Sequence, residues 1–436
     1  MKWHFLNFFD YFLLFSVLIL VTIGILFIYS SGINSSGDLV SNEYSKQIVF
    51  AVAGLVIMIL MSFFDYRKLN QWSLFLYIGI NLVLIYTRIA GTKVNGARSW
   101  LGIGDFGVQP SEFGKIIFIL YLARYLDTST KLPELKRFIY AILIMCIPVG
   151  LILIQPDLGT ASVYIPIFIL MCYMAGIPRR YLTLILSTGL LIIIFSVMPV
   201  WESQIYQKSI PLFRVFSNLK LRLLVIVAFA LICLIGVTGW KLFKQRYYYW
   251  IAFVFGIFTF ALTASIAAMK VLKSYQIMRL IVFLNPNVDP QGAGWNIIQS
   301  KVAIGSGGLF GQGFLKGTQS HYRFLPQQST DFIFSILSEE WGFAGCLGVF
   351  LLFGVILLRG IMIVKNTKNS YSCYVSSGIV CMIFFHFVVN IGMVMGIMPI
   401  TGIPLMFLSY GGSSLWTAMA AIGILMSINY RRMDFS

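Results

Sequence analysis

Asp289 stands in the segment Asn285-Pro286-Asn287-Val288-Asp289-Pro290-Gln291-Gly292-Ala293-Gly294. An Asp-Pro step closely followed by glycines makes a φ-restricted turn that presents one carboxylate, a candidate general base. Its surroundings suit an anion, because Lys270, Lys273, Arg279, Lys301, Lys316 and Arg323 all lie within residues 270–331. Gly305, Gly307, Gly308, Gly311, Gly313 and Gly317 add backbone N–H groups that an anion can approach, although such a run serves close helix packing equally well. Lys316-Gly317-Thr318 inverts the order of a phosphate-binding loop and no strand precedes the glycines, so a nucleotide site is not implied. Between Asn296 and Ile304 the apolar spacing predicts a short re-entrant or interfacial helix. The segment ends at Thr330-Asp331-Phe332, and Glu339 and Glu340 follow two turns into the next apolar run. A charge at a membrane-helix centre costs roughly 2.5–3.5 kcal/mol, so these carboxylates are expected to face a polar cavity.

Two other polar clusters interrupt apolar runs. Gln109-Pro110-Ser111-Glu112 opens one run, with Pro110 suited to a first helical turn and Lys115 one turn beyond Glu112, at ion-pair spacing. Gln155-Pro156-Asp157-Leu158-Gly159-Thr160 joins two runs. For Glu112, Lys115 and Asp157, pinning helices together and a functional role are about equally open. The cysteines, among them Cys146 and Cys172, lie in or beside apolar runs without metal-ligand spacing and read as small hydrophobes. His4, His321 and His386 are too scattered to make a metal site visible in sequence, and His386 reads as a packed core residue.

The elements that must position these groups are membrane helices. Of 436 residues 59% are hydrophobic and 11% charged, with a mean hydropathy of +0.87, whereas soluble domains carry roughly a quarter charged residues. The apolar runs predict an all-α, polytopic transmembrane chain of about twelve spans, near 11–30, 46–64, 71–87, 111–127, 137–155, 158–176, 181–199, 221–240, 248–269, 332–357, 372–394 and 406–428. The first is expected to be a retained span rather than a cleaved signal. A net charge of +17 on so apolar a chain argues against a nucleic-acid binder and for basic residues flanking spans. With both termini in the cytoplasm, every inner segment is basic, from Arg67 and Lys68 to Arg431 and Arg432. Three outer loops are basic as well: 88–110 with Arg88, Lys93 and Arg98, 200–220 with Lys208, Arg214 and Lys220, and 270–331. Positive charge on that face suits an anionic ligand.

Together these segments resemble the SEDS family of shape, elongation, division and sporulation glycosyltransferases, most closely its RodA branch. The matching stretches are Gly96-Ala97-Arg98-Ser99-Trp100, Gln109 to Glu112, Gln155 to Thr160, Asp289 to Gly294, Gln299 to Gly308, Thr330 to Phe334, and Gly402-Ile403-Pro404-Leu405 leading to Ser409-Tyr410-Gly411-Gly412-Ser413. Gly317-Thr318-Gln319 resembles the RodA branch rather than the division-specific FtsW branch. The resemblance implies polymerisation of lipid II outside the bacterial cytoplasmic membrane, for cell elongation and rod shape, and a complex with a class B penicillin-binding transpeptidase and other elongation proteins. It places the family's essential loop aspartate at Asp289. The family usually shows ten spans, so the expected twelve leave a surplus within 199–270 of a single membrane domain covering 1–436, with 270–331 as the catalytic loop.

That chemistry joins an α-linked sugar pyrophosphate to an acceptor 4-hydroxyl with inversion. It needs one base, expected at Asp289, and positive charge for the departing pyrophosphate, for which Arg98, Arg279, Lys301 and Lys316 are candidates, with or without a divalent cation such as Mg or Mn. Asp331, Glu339 and Glu340 are expected as supporting polar groups. A division-specific FtsW-like paralogue and a scaffold that only recruits the transpeptidase are alternatives, and the rival from another class is a lipid II transporter. It would concentrate its key charges at mid-membrane, where this sequence is poorer than in loop 270–331.

Overall fold

The computed structural model describes residues 10–94, 97–103, 106–201, 216, 218–271 and 274–431. Gly96, Lys208, Arg214, Lys273, His4 and Arg432 therefore lie outside the described residues. The helices are α1 (Tyr11–Ser31), α2 (Glu43–Phe63), α3 (Tyr66–Ala90), α4 (Pro110–Thr128), α5 (Glu134–Ile154), α6 (Leu158–Met174), α7 (Arg179–Trp201), α8 (Leu219–Phe243), α9 (Arg246–Val271), α10 (Ser274–Leu284), α11 (Ala293–Ser306), α12 (Thr318–His321), α13 (Ile333–Asn366), α14 (Ser370–Val394) and α15 (Gly412–Arg431).

Each of the expected apolar segments is helical, but twelve crossings do not follow. Among the described residues ten helices are long and apolar enough to cross a membrane. The two expected spans outside that set are α4, which carries Glu112, Lys115, Arg124 and Asp127, and α6, which is 17 residues long. The all-α expectation has one local exception. Between α3 and α4, where only a basic loop is expected, β1 (Thr92–Val94), β2 (Ala97–Ile103) and β3 (Phe106–Val108) form an antiparallel sheet in the order β1-β2-β3, with Arg98 opposite Lys93.

The chain divides into two compact units, residues 1–177 with 299–436 and residues 178–298. In the first, α14 and α15 are the inner helices: 72% and 83% of their most apolar windows are buried, against 28% for α2 and α3. Small residues explain this placement. Ser372, Ser376, Ser377 and Gly378 on α14, and Ser413, Ser414, Ala418, Ala421 and Gly423 on α15, are all buried, and small side chains let membrane helices approach closely. A Cβ on Gly423 would stand 2.5 Å from the Met58 carbonyl of α2. The outer helices instead expose Val52, Leu60, Phe75, Leu82 and Ile89, side chains suited to lipid.

Some basic residues at helix ends bind protein rather than flank it. Arg359 donates to Asp10 at 2.8 and 3.0 Å, and Arg137 donates to Ser129 Oγ and to the carbonyls of Ala175 and Leu126. Helix α13 is broken at Gly342, whose φ of +62° and ψ of −160° suit glycine almost alone. Residues 307–313 pack into that break: Gln312 and Gly313 donate to the carbonyls of Glu339 and Glu340 at 2.9 and 3.0 Å, and Phe343 and Ala344 donate to those of Gly308 and Leu309.

The second unit contains α7 to α10 and a 3₁₀ turn at Pro286–Val288, and its boundary falls inside α11. α8 and α9 pack against each other, Gly236 lying close to the Ala252 backbone and Gly239 to the Tyr248 ring. Phe195, Ala261 and Leu262 form its core, with Phe216, Phe229 and Phe258 around them.

Candidate functional site

Asp289 lies in the second unit, at the end of the 3₁₀ turn that follows α10 and before α11. Asn285 starts the turn by accepting from the Asn287 N–H at 3.1 Å. Gly292 and Gly294 then donate to the Asp289 carbonyl at 3.3 and 2.9 Å. The glycines are needed for space. A Cβ on Gly292 would press on the Asp289 carboxylate, and one on Gly294 would meet the Asp289 carbonyl at 2.6 Å. The carboxylate is thus held partly exposed, at the mouth of a helix, by a backbone that admits no bulk beside it. Arg279, partly buried on α10, shares the unit, and α10 packs on the turn.

The other predicted residues lie in the first unit. Arg98 is partly buried on β2, while Lys301 on α11 and Lys316 before α12 are exposed. The expected short helix is present as α11, and its buried Ser300 donates to the Val394 carbonyl at 2.7 Å and receives Ser335 Oγ at 2.8 Å. Asp331 is partly buried, and its carbonyl accepts from Asn390 at 3.0 Å.

Glu339 and Glu340 are fully buried, and the polar surroundings that accommodate them come from the protein itself. Glu339 accepts from the Gln319 N–H at 2.7 Å, Thr318 Oγ1 at 3.1 Å and the Ser320 N–H at 3.2 Å, and so caps α12. Glu340 accepts from Ser30 Oγ and from the Leu315 N–H at 3.2 Å. The glycine run divides in the same way. Gly307 and Gly311 lie against the carbonyls of Ser338 and Glu340, where a side chain would not fit. For these two positions close packing, rather than anion contact, accounts for glycine.

Within the helices, Lys115 Nζ lies 2.8 Å from both Glu112 oxygens and 3.0 Å from His386 Nε2, all three residues being buried. His386 Nδ1 faces the Pro404 carbonyl at 3.0 Å. A carbonyl only accepts, so Nδ1 carries the proton and Nε2 receives the lysine. Asp157 caps α6 through Thr160, at 3.0 Å to its N–H and 2.8 Å to its Oγ1, and accepts from Gln109 Nε2 at 2.9 Å. The Gln109 N–H donates to Ser413 Oγ at 2.9 Å. Gln109 thereby ties three of the recognised segments together.

His386 is the packed, hydrogen-bonded core residue that the sequence suggests, but its partner Lys115 was not foreseen, nor was the role of Ser413 in holding Gln109. Neither position carries a local signal, since their partners lie 271 and 304 residues away. Among the described residues no group of three or more His, Cys, Asp and Glu could hold a metal ion.

The family described as cell cycle protein, which groups FtsW, RodA and SpoVE, matches residues 11–220 and 220–434. The chain is 53% identical over 425 residues to the peptidoglycan glycosyltransferase RodA of Treponema pallidum, covering 98% of each. It is 32% identical over 383 residues to the peptidoglycan glycosyltransferase MrdB of Escherichia coli, covering 88% of this chain and 84% of that one. A solved peptidoglycan synthase complex, described as coordinating polymerization and crosslinking, contains a chain of 25% identity and TM-score 0.66, with 97% and 98% covered. The few per cent left unmatched against the Treponema protein are too short to hold α8 and α9, so that helix pair is not an addition relative to it. By sequence and by fold, the chain belongs to the SEDS family.

Proposed function

We propose that this chain, a multi-pass membrane protein whose enzyme class is peptidoglycan glycosyltransferase, polymerises lipid II with Asp289 as its base. The oxygen of the acceptor's 4-hydroxyl attacks the anomeric carbon of the donor sugar. The bond from that carbon to the pyrophosphate breaks, undecaprenyl pyrophosphate leaves with the electron pair, and the hydroxyl proton passes to Asp289. Inversion at the α-linked carbon yields the β(1→4) bond. Arg279, Arg98, Lys301 and Lys316 are the proposed sources of positive charge for the departing pyrophosphate. A divalent cation such as Mg or Mn would be held by the substrate's pyrophosphate together with one or two carboxylates, and no step here is routed through one.

The observation that carries this reading is the Asp289 turn, which holds a partly exposed aspartate against Gly292, where a side chain would press on the carboxylate. The charges inside the helices favour it over transport. Lys115 is held by Glu112 and His386, and Glu339 by three donors, so these groups tie elements together. We further place both termini in the cytoplasm of a bacterial inner membrane, and a class B penicillin-binding transpeptidase with other elongation proteins as partners, as the synthase complex supports.

The decisive experiment supplies purified protein with lipid II. Glycan strands are the expected product, and movement of lipid II across vesicle membranes without strands would replace this reading by a transporter. For orientation, cysteines at Phe310 and Tyr322, which are 83% and 61% exposed, are expected to react with an impermeant thiol reagent in intact spheroplasts. Reaction only after permeabilisation would invert the topology.

A further inference from the structure

Of the ten helices long and apolar enough to cross a membrane, α8 is the least buried, with 11% of its most apolar window inside the protein. Leu224, Leu231, Leu234 and Ile235 are exposed along it, a surface suited to lipid. At about 1.5 Å per residue its 25 residues reach about 37 Å, beyond a hydrocarbon core of about 30 Å. The last turn of α8 and the start of α9, separated only by Lys244 and Gln245, therefore stand at headgroup level. Lys241, Lys244 and Arg246 are all exposed there. Trp240, Phe243, Tyr247 and Trp250 beside them are exposed as well, and Trp and Tyr favour the boundary between lipid and water. The collar is ordered by its own packing. Phe243 stacks on Tyr248 with ring centroids 5.7 Å apart, Trp240 meets Tyr249 edge-on at 5.8 Å, and Tyr248 lies against Gly239.

The protein makes no internal use of these three cations. Between Glu202 and Asp289 the sequence has no acidic residue, and no ion pair to Lys241, Lys244 or Arg246 is found among the described residues. Elsewhere helix-end cations are paired, Arg359 with Asp10 and Arg431 with Asp65. The helix dipole accounts for only part of the set. Lys241 suits the C-terminal end of α8, but Arg246 stands in the first turn of α9, where a cation is disfavoured and no acid balances it. Unpaired charge at headgroup level, flanked by exposed rings on a lipid-facing helix pair, is complementary to an anion of the bilayer surface.

We infer that the α8–α9 turn is a docking site for an anionic phospholipid, its phosphate paired with Lys241, Lys244 and Arg246 and its glycerol region and upper chains lying against Trp240 and Trp250. The rings favour a lipid over an acidic protein segment, because they continue the apolar face of α8 into the charged turn. On the proposed orientation the site belongs to the inner leaflet. Binding itself depends neither on that orientation nor on glycosyl transfer, so the inference goes beyond the proposed function.

The test is lipid retention by full-length protein in detergent, titrated with phosphatidylglycerol or phosphatidylcholine and read by native mass spectrometry. Phosphatidylglycerol is expected to be retained in preference to phosphatidylcholine. A cation at a bilayer surface is worth about fivefold in affinity, so Lys241→Gln with Lys244→Gln is expected to weaken the first bound phosphatidylglycerol by about tenfold or more. Lys365→Gln with Lys368→Gln removes the same charge between α13 and α14 and is expected to change that affinity by less than about twofold. Trp250→Ala is expected to weaken both lipids alike. These side chains are exposed, so melting temperatures near wild type accompany each result. Equal losses from the two double variants, equal retention of the two lipids, or displacement of the lipid by equimolar inorganic phosphate would each overturn the inference. Tighter binding of a polyglutamate peptide than of phosphatidylglycerol would assign the turn to an acidic protein segment instead. Lys241→Gln with Lys244→Gln is expected to make glycan strands from lipid II in detergent at the wild-type rate. Wild-type protein that retains phosphatidylglycerol but makes no strands loses the proposed function and keeps this site. A cysteine at Gln245 that an impermeant reagent labels in intact spheroplasts reverses the leaflet and leaves the lipid site in place.

Discussion

Asp289 and the pair Glu339–Glu340 lie 50 residues apart in one chain, and their surroundings make them different kinds of carboxylate. Glu339 and Glu340 are fully buried and hydrogen-bonded by protein donors: three reach Glu339, while Ser30 and Leu315 reach Glu340. Asp289 stays partly exposed, on a turn where a Cβ on Gly292 would press on its carboxylate. A buried carboxylate bonded to loop N–H groups fixes that loop, because removing it strands the donors. Partial exposure keeps a carboxylate accessible to a substrate proton. The contrast between these acids is therefore one of exposure: solvent reaches Asp289 and not Glu339 or Glu340.

The largest effect that sharpens this contrast is expected at Asp289. Asp289→Asn retains size and polarity but removes the base, so glycan synthesis from lipid II should fall by roughly 10²-fold or more. Its melting temperature in detergent should stay near wild type. Polymerisation at an undiminished rate would remove Asp289 from the chemistry. Gly292→Ala comes next, since its new Cβ presses on the carboxylate. A displacement of that size is expected to cost about tenfold to a hundredfold in rate, again with little change in melting. Unchanged turnover would show that the space beside the carboxylate is not used.

Glu339→Ala should invert the pattern. It leaves the N–H groups of Gln319 and Ser320 without their acceptor, at about 1–3 kcal/mol for each group left unsatisfied. The expected readout is a lowered melting temperature, with activity per folded molecule largely kept. A variant that melts like wild type yet makes no strands would place Glu339 in the chemistry and break the comparison.

How much of this was legible in the sequence depended on range. The Asp289 turn could be read because Pro290, Gly292 and Gly294 are its own neighbours, and the Glu112–Lys115 pair because one helical turn separates them. Apolar runs long enough to be helices announced themselves by composition. His386 on Lys115 and Ser413 beneath Gln109 could not be read, because the packing of α4 against α14 and α15 makes those contacts. The break in α13 was hidden for another reason. Trp341-Gly342-Phe343 follows Glu340 directly and opens onto a long apolar stretch, and one glycine there is compatible with a continuous helix. The strands at 92–94, 97–103 and 106–108 are short and lie in a segment read for its charges and for the Gly96 to Trp100 resemblance, neither of which signals a strand. Glycines 307 and 311 carried two meanings that spacing alone left open, and the carbonyls they touch decided for packing.

Asp157 lies between the two extremes and yields the smallest expected effect. It is partly buried like Asp289, yet it caps α6 and holds Gln109 through the same oxygen, Oδ2, that receives Thr160 Oγ1. Thr160→Val keeps the β-branched shape and the backbone N–H cap while deleting the hydroxyl donor. One neutral donor to a charged acceptor is then lost, and Asp157 retains the Thr160 N–H and Gln109 Nε2. The expected loss of stability is about 1.5–3 kcal/mol, as for a hydrogen bond to a charged group, read as a drop in melting temperature with polymerisation per folded molecule unchanged. Gln109→Ala should cost more in the same assay, because it cuts the side-chain tie between the residue that precedes α4 and α6's cap. If Thr160→Val leaves melting untouched but slows synthesis, the cap is not what Asp157 contributes. Partial exposure would then group Asp157 with Asp289 as working carboxylates, apart from the fully buried Glu339 and Glu340.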